Sequence, residues 1–159
     1  MRKLFAQIVL EEMSKNGKFV FLTADMGYGL WDEVRDKHSN RFFNVGAAEQ
    51  LMIGAAAGMA MEGKIPICYS ITPFAIYRPF EFIRNFMNHE KLPIKIAGGG
   101  RDKDYGHLGF SHWAEEDIDV LSVLKNIHCY KPDPKDSMLQ TIFRDAINSP
   151  HPSYINLVK

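Results

Sequence analysis

The sequence predicts an α/β protein with three layers (α/β/α), in which helices cover both faces of a mainly parallel central sheet. Three observations predict this architecture. Short β-rich segments alternate along the whole chain with segments of helical periodicity. The strand segments are apolar throughout, as in strands buried on both faces. The strict alternation of strand and helix favours parallel pairing with right-handed crossovers.

The first half of the chain contains three helices and three strands. Leu4 and Ile8 lie at helical spacing within residues 2–15, and Asn16-Gly17 ends this helix. The run FVFLTA (19–24) is short and β-rich, which predicts a buried strand. A helix is predicted over 30–38, a second strand at RFFNV (41–45), and a helix of small residues over 47–62 that Gly63 ends. The run IPICYSI (65–71) predicts the third strand.

The second half repeats the alternation around one long loop. A helix is predicted over 74–90, with Thr72 as a candidate N-cap and Pro73 at its first position. The run LPIKIAG (92–98) predicts a fourth strand, and the glycine-rich loop 98–113 follows it. The remaining predicted elements are a helix over 117–125, a strand over 127–132, a helix over 136–147 and a strand over 153–158.

The composition is that of an ordinary globular domain. A length of 159 residues favours a single core, and no repeat, linker or low-complexity tract divides the chain. Lys and Arg (19) balance Asp and Glu (19), so there is no electrostatic argument for nucleic acid or an anionic membrane as a partner. Cys68 and Cys129 lie in apolar segments and are interpreted as free thiols in a reducing compartment.

Targeting signals are not predicted. The N-terminal segment carries Glu11 and Glu12, whereas a signal peptide needs an uncharged apolar core. No apolar run reaches membrane-spanning length. We therefore expect a cytoplasmic protein without a membrane partner.

Glu49 is the first candidate for a functional residue. In parallel sheets ligands bind beyond the carboxyl ends of the strands, which places the loops 24–29, 45–49, 71–78 and 98–113 at the predicted site. Glu49 begins a helix that is almost entirely apolar as far as Glu62, and such a helix is expected to be buried. Its carboxylate is therefore either a solvated helix-start charge or an acid aimed into a cleft, where it can exchange a proton.

Two more groups of candidates lie in these loops. Phe74 and Tyr77 are three residues apart on one predicted helix face, which suits either an aromatic wall for a planar ligand or ordinary core packing. His107 and His112 lie in the glycine-rich loop as candidate acid–base or hydrogen-bonding groups, or as simply exposed side chains. They lack a third ligand at metal spacing, so no metal site is predicted.

These stretches together resemble the pyrimidine-binding domain of the transketolase family of thiamine-diphosphate enzymes. RFFNVGAAEQLMIGAAAGMAMEGKIPI is similar to the family's glutamate segment with its small-residue helix. SITPFAIYRPFEFIR is similar to its Thr-Phe-rich stretch that precedes an arginine. GFSHWAEEDIDVLSVLKNIHCYKPDP is similar to its glycine–threonine/serine–histidine loop. The similarity runs from about residue 19 to residue 136.

The resemblance implies how this chain would hold the cofactor. Glu49 matches the glutamate that hydrogen-bonds N1′ of the aminopyrimidine, a contact that helps the cofactor to lose its thiazolium C2 proton. Phe74 matches the aromatic residue that stacks on the pyrimidine, and Tyr77 matches a tyrosine one turn further on. Asp25 matches an acid near the thiazolium ring.

The resemblance also implies substrate-binding residues. His112 matches the loop histidine that contacts donor sugar oxygens and shuttles protons, whereas His107 has no clear counterpart and is the weaker candidate. Two departures from the family pattern are visible. Transketolase carries a second phenylalanine in the region of Ile71, so the aromatic wall is expected to be thinner here. GHLGF replaces the acidic residues that precede the histidine, so sugar recognition is expected to differ from that of transketolase.

The diphosphate-binding half of the family is not found in these residues, since no Gly-Asp-Gly occurs. We expect residues 1–159 to be one pyrimidine-binding domain, with no diphosphate-binding domain and no C-terminal transketolase domain in this chain. A separate diphosphate-binding transketolase-like subunit would supply the Mg²⁺ ligands and form an α2β2 heterotetramer. An exposed apolar surface around Phe74, Tyr77, Phe80 and Phe82 is expected to form that interface.

The predicted function is that of a transferase subunit, active only with its partner. It would move a two-carbon ketol unit from a ketose-type sugar or sugar-phosphate donor to an aldehyde acceptor. Two alternatives stay open. The first is a beta-type component of a 2-oxo acid decarboxylase or dehydrogenase, although such components carry a C-terminal domain. The second is a non-catalytic regulatory remnant, which would need neither Glu49 nor His112.

Overall fold

The computed structural model describes residues 1–159 and confirms the predicted α/β fold. Six parallel strands form one sheet in the spatial order β2-β1-β3-β4-β6-β5. The strands are β1 Phe19–Thr23, β2 Phe42–Asn44, β3 Ile65–Ile71, β4 Lys95–Gly99, β5 His128–Tyr130 and β6 Ser153–Leu157. All residues of β1, β4 and β6 are buried, as expected for apolar strands covered on both faces.

Helices on the two faces of the sheet enclose two apolar cores. The helices are α1 Arg2–Lys15, α2 Asp32–Lys37, α3 Glu49–Met61, α4 Thr72–Tyr77, α5 Phe80–Phe82, α6 Asp117–Ser122 and α7 Leu139–Asn148. Successive residues of β1 face opposite cores, because side chains alternate along a strand: Leu22 packs with α3, and Phe21 packs with α1 and α7. No helix combines the length and the apolar character needed to cross a bilayer.

The single helix predicted over 74–90 is wrong. α4 ends at Tyr77, α5 begins at Phe80, and α5 continues as a π-helix over Ile83–His89. Pro79 explains the break, since it has no N–H to donate and its ring clashes with the preceding turn. The expected Thr72 N-cap is also wrong, because Thr72 is the first residue of α4 and its hydroxyl donates to the carbonyl of Gly100 at 2.7 Å.

Two other elements begin about one helical turn of residues later than predicted, and the reason is local in each case. β4 begins at Lys95 rather than at residue 92, because the N–H of Leu92 bonds back to the carbonyl of Phe86 at 3.1 Å. α7 begins at Leu139 rather than at residue 136, because the Asp136 carboxylate accepts the N–H of Met138 at 2.8 Å and forms a turn.

The aromatic surface expected around residues 74–82 is largely packed away. Phe80 and Phe82 pack against the core beside α3, and the Phe82 ring approaches Gly54 so closely that an added Cβ would lie 3.0 Å from it. Tyr77, at 39%, is the most exposed of the four aromatic residues. The expectation of a fully buried α3 holds for one side only, since Leu51 and Met61 are each 58% exposed.

Both cysteines are free thiols, as predicted. Cys68 is buried in β3, and Cys129 is partly buried in β5. Burial, together with the nearby Asp117 carboxylate, raises the pKa of Cys129 to about 11. Neither thiol has the electropositive, accessible surroundings of a reactive cysteine.

Candidate active site

The candidate site lies at the carboxyl edge of the sheet, where the chain leaves β2, β3 and β4. α3 begins with Glu49 and crosses from β2 to β3. α4 follows β3 directly and carries Phe74, and the loop after β4 carries His112. Parallel strands end at the same edge of a sheet, which is why side chains far apart in sequence meet there.

Glu49 is a buried carboxylate with a partner at each oxygen. It is only 2% exposed. The Ser70 hydroxyl on β3 donates to Oε1 at 2.8 Å, and Nη1 of Arg78 donates to Oε2 at 2.5 Å. The interpretation as a solvated helix-start charge is therefore wrong. The ion pair with Arg78 and the hydrogen bond from Ser70 stabilise the buried carboxylate, which would otherwise be costly to remove from water.

Glu49 and His112 are connected by two intervening side chains, Arg78 and Phe74. The guanidinium carbon of Arg78 lies 3.9 Å from the centroid of the Phe74 ring, a cation–π distance. The His112 ring meets Phe74 edge to face, with centroids 4.9 Å apart and planes at 70°. Glu49, Arg78, Phe74 and His112 thus form one contiguous group, which we call the Glu49 cluster.

Tyr77 and His107 lie outside the Glu49 cluster. Burial and a hydrogen bond with the Glu116 carboxylate raise the pKa of the Tyr77 phenol well above its usual value. His107 is exposed in a short 3₁₀ turn, Gly106–Leu108. No hydrogen bond, ion pair or ring contact joins either side chain to the cluster.

Asp25 forms a separate polar group at the ends of β1 and β2. Its backbone N–H donates to Oδ1 of Asn44 at 3.0 Å, and Nδ2 of Asn44 donates back to its carboxylate at 3.2 Å. The Tyr28 hydroxyl donates to the same carboxylate oxygen. The Tyr28 bond, and then the Asn44 bond, lower the pKa of Asp25. The residue has φ 55°, a left-handed conformation that is uncommon outside glycine.

Sequence reasoning missed the two residues that hold Glu49. Arg78 stands out in the sequence only as the arginine after an aromatic stretch, yet its position four residues after Phe74 places it on the same helix face. Ser70 lies within a run that has the pattern of an ordinary apolar strand. A hydroxyl in an otherwise buried strand needs a partner, and that requirement was the available signal.

The geometry suits a flat heteroaromatic ligand with a polar N–H. A buried carboxylate accepts a hydrogen bond from such a ring, and a partly exposed phenylalanine offers an aromatic surface beside it. His112 adds an imidazole that can donate or accept a proton, with Nδ1 3.0 Å from the Ser111 hydroxyl. No group of three or more His, Cys, Asp or Glu side chains converges to hold a metal ion.

Comparison with known proteins places this geometry in a family. Residues 1–159 match a family model described as the pyrimidine-binding domain of transketolase. An apulose-4-phosphate transketolase subunit from Actinobacillus succinogenes is 34% identical over 118 residues, which cover 74% of this chain and 38% of that protein. A 1-deoxy-D-xylulose-5-phosphate synthase from Dehalococcoides mccartyi is 33% identical over 152 residues, which cover 94% of this chain and 23% of that protein.

A solved structure agrees with these matches. A structure described as a split gene transketolase, an inactive beta4 tetramer, superposes with a TM-score of 0.84 at 34% identity, covering 99% of this chain and 50% of that one. The chain therefore spans half or less of the length of the proteins it matches.

Proposed function

Because the chain belongs to the transketolase family, in which residues 1–159 correspond to the pyrimidine-binding domain, we propose that it is the pyrimidine-binding subunit of a two-component, thiamine-diphosphate-dependent transferase. The enzyme would transfer a two-carbon ketol unit from a ketose-type sugar or sugar phosphate to an aldehyde acceptor. A separate diphosphate-binding subunit would supply the Mg²⁺ ligands and complete an α2β2 heterotetramer. The relative named as a transketolase subunit and the neighbour named as a split-gene product support a two-chain enzyme.

The observation that carries the proposal is the burial of Glu49, whose partner Arg78 lies over the ring of Phe74. Each of its oxygens accepts one hydrogen bond. An ionised carboxylate has about four acceptor positions, so capacity remains for a ring N–H. Phe74 supplies the neighbouring aromatic surface. These groups fit the aminopyrimidine of thiamine diphosphate in charge and polarity.

The chain's own residues bind, orient and exchange protons in this proposal. When bound, thiamine diphosphate supplies the nucleophilic carbon and the electron sink of ketol transfer. Glu49 holds a proton at N1′ of the pyrimidine, and its water-poor surroundings strengthen that hydrogen bond. Phe74 orients the ring. Arg78 balances the Glu49 charge, and its side chain, 46% exposed, has room to move toward solvent as the ring enters.

The remaining candidates keep their proposed places around the cofactor and substrate. Asp25 would face the thiazolium ring as an ionised carboxylate, and Tyr77 would border the pyrimidine. His112 would hydrogen-bond donor sugar oxygens and move protons between them. His107 would contact substrate further out in the same loop.

Reconstitution tests the proposal. The chain is mixed with a diphosphate-binding transketolase-like subunit, Mg²⁺ and thiamine diphosphate, and ketol transfer from a ketose phosphate to an aldehyde acceptor is followed spectrophotometrically. We expect activity that neither chain has alone, and Glu49→Gln should lower kcat by about 10²-fold or more. Glu62→Gln is the matched control, an exposed acid at the other end of α3. Full turnover by Glu49→Gln would refute the role of Glu49.

Decarboxylating chemistry is the second candidate. The chain is 33% identical to part of a 1-deoxy-D-xylulose-5-phosphate synthase, so this domain also occurs outside the enzymes named transketolase. The reconstituted enzyme is therefore offered pyruvate and ketose phosphates separately. Turnover of pyruvate, without turnover of ketose phosphates, would contradict ketol transfer and support decarboxylating chemistry. Tight association with another protein, without rescue by any diphosphate-binding subunit, would favour a regulatory role.

A further inference from the structure

We propose that Asn156 is a positioning residue that holds both ends of the loop carrying His112. This loop, residues 100–116, joins β4 to α6, and we call it the His112 loop. The inference rests on the proposed function of His112 in substrate binding. Asn156 lies on β6, behind the loop, and is fully buried. Its side chain bonds to Arg101, Asp117 and Tyr154 and to neither Phe74 nor His112, so we expect its effect on the site to act through the loop.

The side-chain amide of Asn156 bridges the first and last parts of the His112 loop. Its Oδ1 accepts a hydrogen bond from Nε of Arg101, near the start of the loop. Its Nδ2 donates to Oδ2 of Asp117, the residue at which the loop ends and α6 begins. Arg101 also donates from Nη2 to the Asn156 carbonyl at 2.7 Å. One side chain therefore fixes the separation of the two loop ends.

Both ends are buried charges, which makes the bridge costly to break. Arg101 is 9% exposed and Asp117 is 1% exposed. No direct ion pair joins them, so the amide of Asn156 connects the cation to the anion. Tyr154 also donates to Oδ2 of Asp117 at 2.6 Å, while Oδ1 of Asp117 has no partner. Loss of the amide would leave Arg101 without its side-chain acceptor and Asp117 with a single donor.

Two further hydrogen bonds connect the two loop ends to the Glu49 cluster. Within the loop, the N–H of Ala114 donates to the carbonyl of Asp102 at 2.8 Å, which closes the loop two residues after His112. The Thr72 hydroxyl bonds to Gly100 at the loop start and thereby ties α4, with Phe74, to the same anchor. The edge-to-face contact of His112 with Phe74 therefore depends on where the loop ends are held.

Nuclear magnetic resonance of the full chain tests the inference without a partner subunit. Asn156→Leu keeps the branched shape of the side chain and removes the hydrogen bonds of the amide to Arg101, Asp117 and Tyr154. We expect exchange of the buried Ala114 amide to accelerate about tenfold or more, the factor that follows from losing a buried hydrogen bond of about 1.4 kcal/mol. The His112 ring protons should also lose the ring-current shift that Phe74 imposes.

Ser153→Ala is the matched control for general destabilisation. Ser153 lies on the same strand, is fully buried, and donates to the Ala146 carbonyl at 2.9 Å, away from the loop. This variant should leave the His112 ring shift and the relative exchange of the Ala114 amide unchanged. The inference is overturned if Asn156→Leu leaves both signals unchanged, or if Ser153→Ala moves them equally.

A second variant covers the case in which Asn156→Leu does not fold. Arg101→Met frees only the first loop end and keeps the Asn156–Asp117 contact. It should also change the chemical shift of the His112 ring protons. An unchanged shift would overturn the inference. In the reconstituted enzyme, Asn156→Leu should raise the KM for the donor. The double variant Asn156→Leu/His112→Ala should have the same donor KM as His112→Ala, because both substitutions act through His112. A wild-type pair without activity contradicts the proposed function, while the resonance experiments still decide the role of Asn156.

Discussion

The ion pair between Glu49 and Arg78 allows a sharp test of how the buried carboxylate is maintained. Arg78→Met keeps an unbranched side chain over Phe74 and removes the charge and the hydrogen bond to Glu49. The Glu49 carboxylate then stays buried with Ser70 as its one remaining partner. We expect the folded state to lose stability because an almost fully buried anion loses its counter-charge.

The exposure of the two partners sets the magnitude. Breaking a fully buried ion pair costs about 3–5 kcal/mol, whereas exposed pairs contribute about 0–1 kcal/mol. Here the Glu49 side chain is 2% exposed and the Arg78 side chain is 46% exposed, so solvent screens one partner only. The retained Ser70 bond lowers the cost further. We expect Arg78→Met to reduce the free energy of unfolding by about 1–3 kcal/mol.

A double-mutant cycle in urea separates the ion pair from other effects. The free energy of unfolding is measured for wild type, Glu49→Gln, Arg78→Met and the double variant. Once Glu49 is neutral, loss of Arg78 should cost much less, so the coupling energy should reach about 1 kcal/mol or more. Arg84→Met is the control, since Arg84 is exposed and bonds only to Asn85, and it should change stability by less than about 0.5 kcal/mol.

Strictly additive losses in this cycle would refute the reasoning. Additivity would mean that Glu49 gains nothing from Arg78 in the folded state, despite the 2.5 Å separation of their polar atoms. The carboxylate would then be sustained by Ser70 and backbone dipoles alone.

Two further predictions concern stability away from the site. Burial lowers the pKa of Lys95 to about 7, whereas the unfolded value is about 10.4, so the unfolded chain binds more protons between these values. The free energy of unfolding should therefore fall as pH drops from 10 to 7, by at most about 1.4 kcal/mol per unit, relative to Lys95→Met measured at the same pH values. An equal pH dependence of both proteins would contradict this. On α3, Gly58→Ala should raise the free energy of unfolding by up to about 1 kcal/mol, because a Cβ added at this position has no atom within 4 Å. Gly54→Ala should instead destabilise, since its Cβ would lie 3.0 Å from the Phe82 ring; thermal unfolding that ranks the two variants the other way would contradict the packing described.

The architecture was predictable because its signal is local and repeated. Apolar runs such as FVFLTA and IPICYSI pack on both faces, and each is followed by a helical period, so a parallel three-layer fold follows from spacing alone. The stretch around Glu49 was predictable for a related reason. A single acid before a helix of small apolar residues conflicts with ordinary amphipathic patterning, and such conflicts concentrate at functional sites.

The two details that failed in this region have different origins. The break in the helix over 74–90 could have been predicted from the sequence, because a proline such as Pro79 lacks an N–H and breaks or kinks a helix at that point. The position of Phe82 depends instead on a neighbour that lies far away in the sequence. Phe82 is expected to be exposed because nothing in its own segment indicates Gly54 as the surface on which its ring packs.

The sequence by itself determined the α/β class, the order of strands and helices, and a short set of candidate residues at strand ends. Only the tertiary structure decided which of these meet: Glu49, Phe74 and His112 are joined through Arg78, while Asp25 and His107 lie apart. The physical reason is that periodicity is encoded by residues three or four positions apart. The partner of a buried charge is instead chosen by the strand order, which brings Ser70 to Glu49 and Asn156 to Arg101.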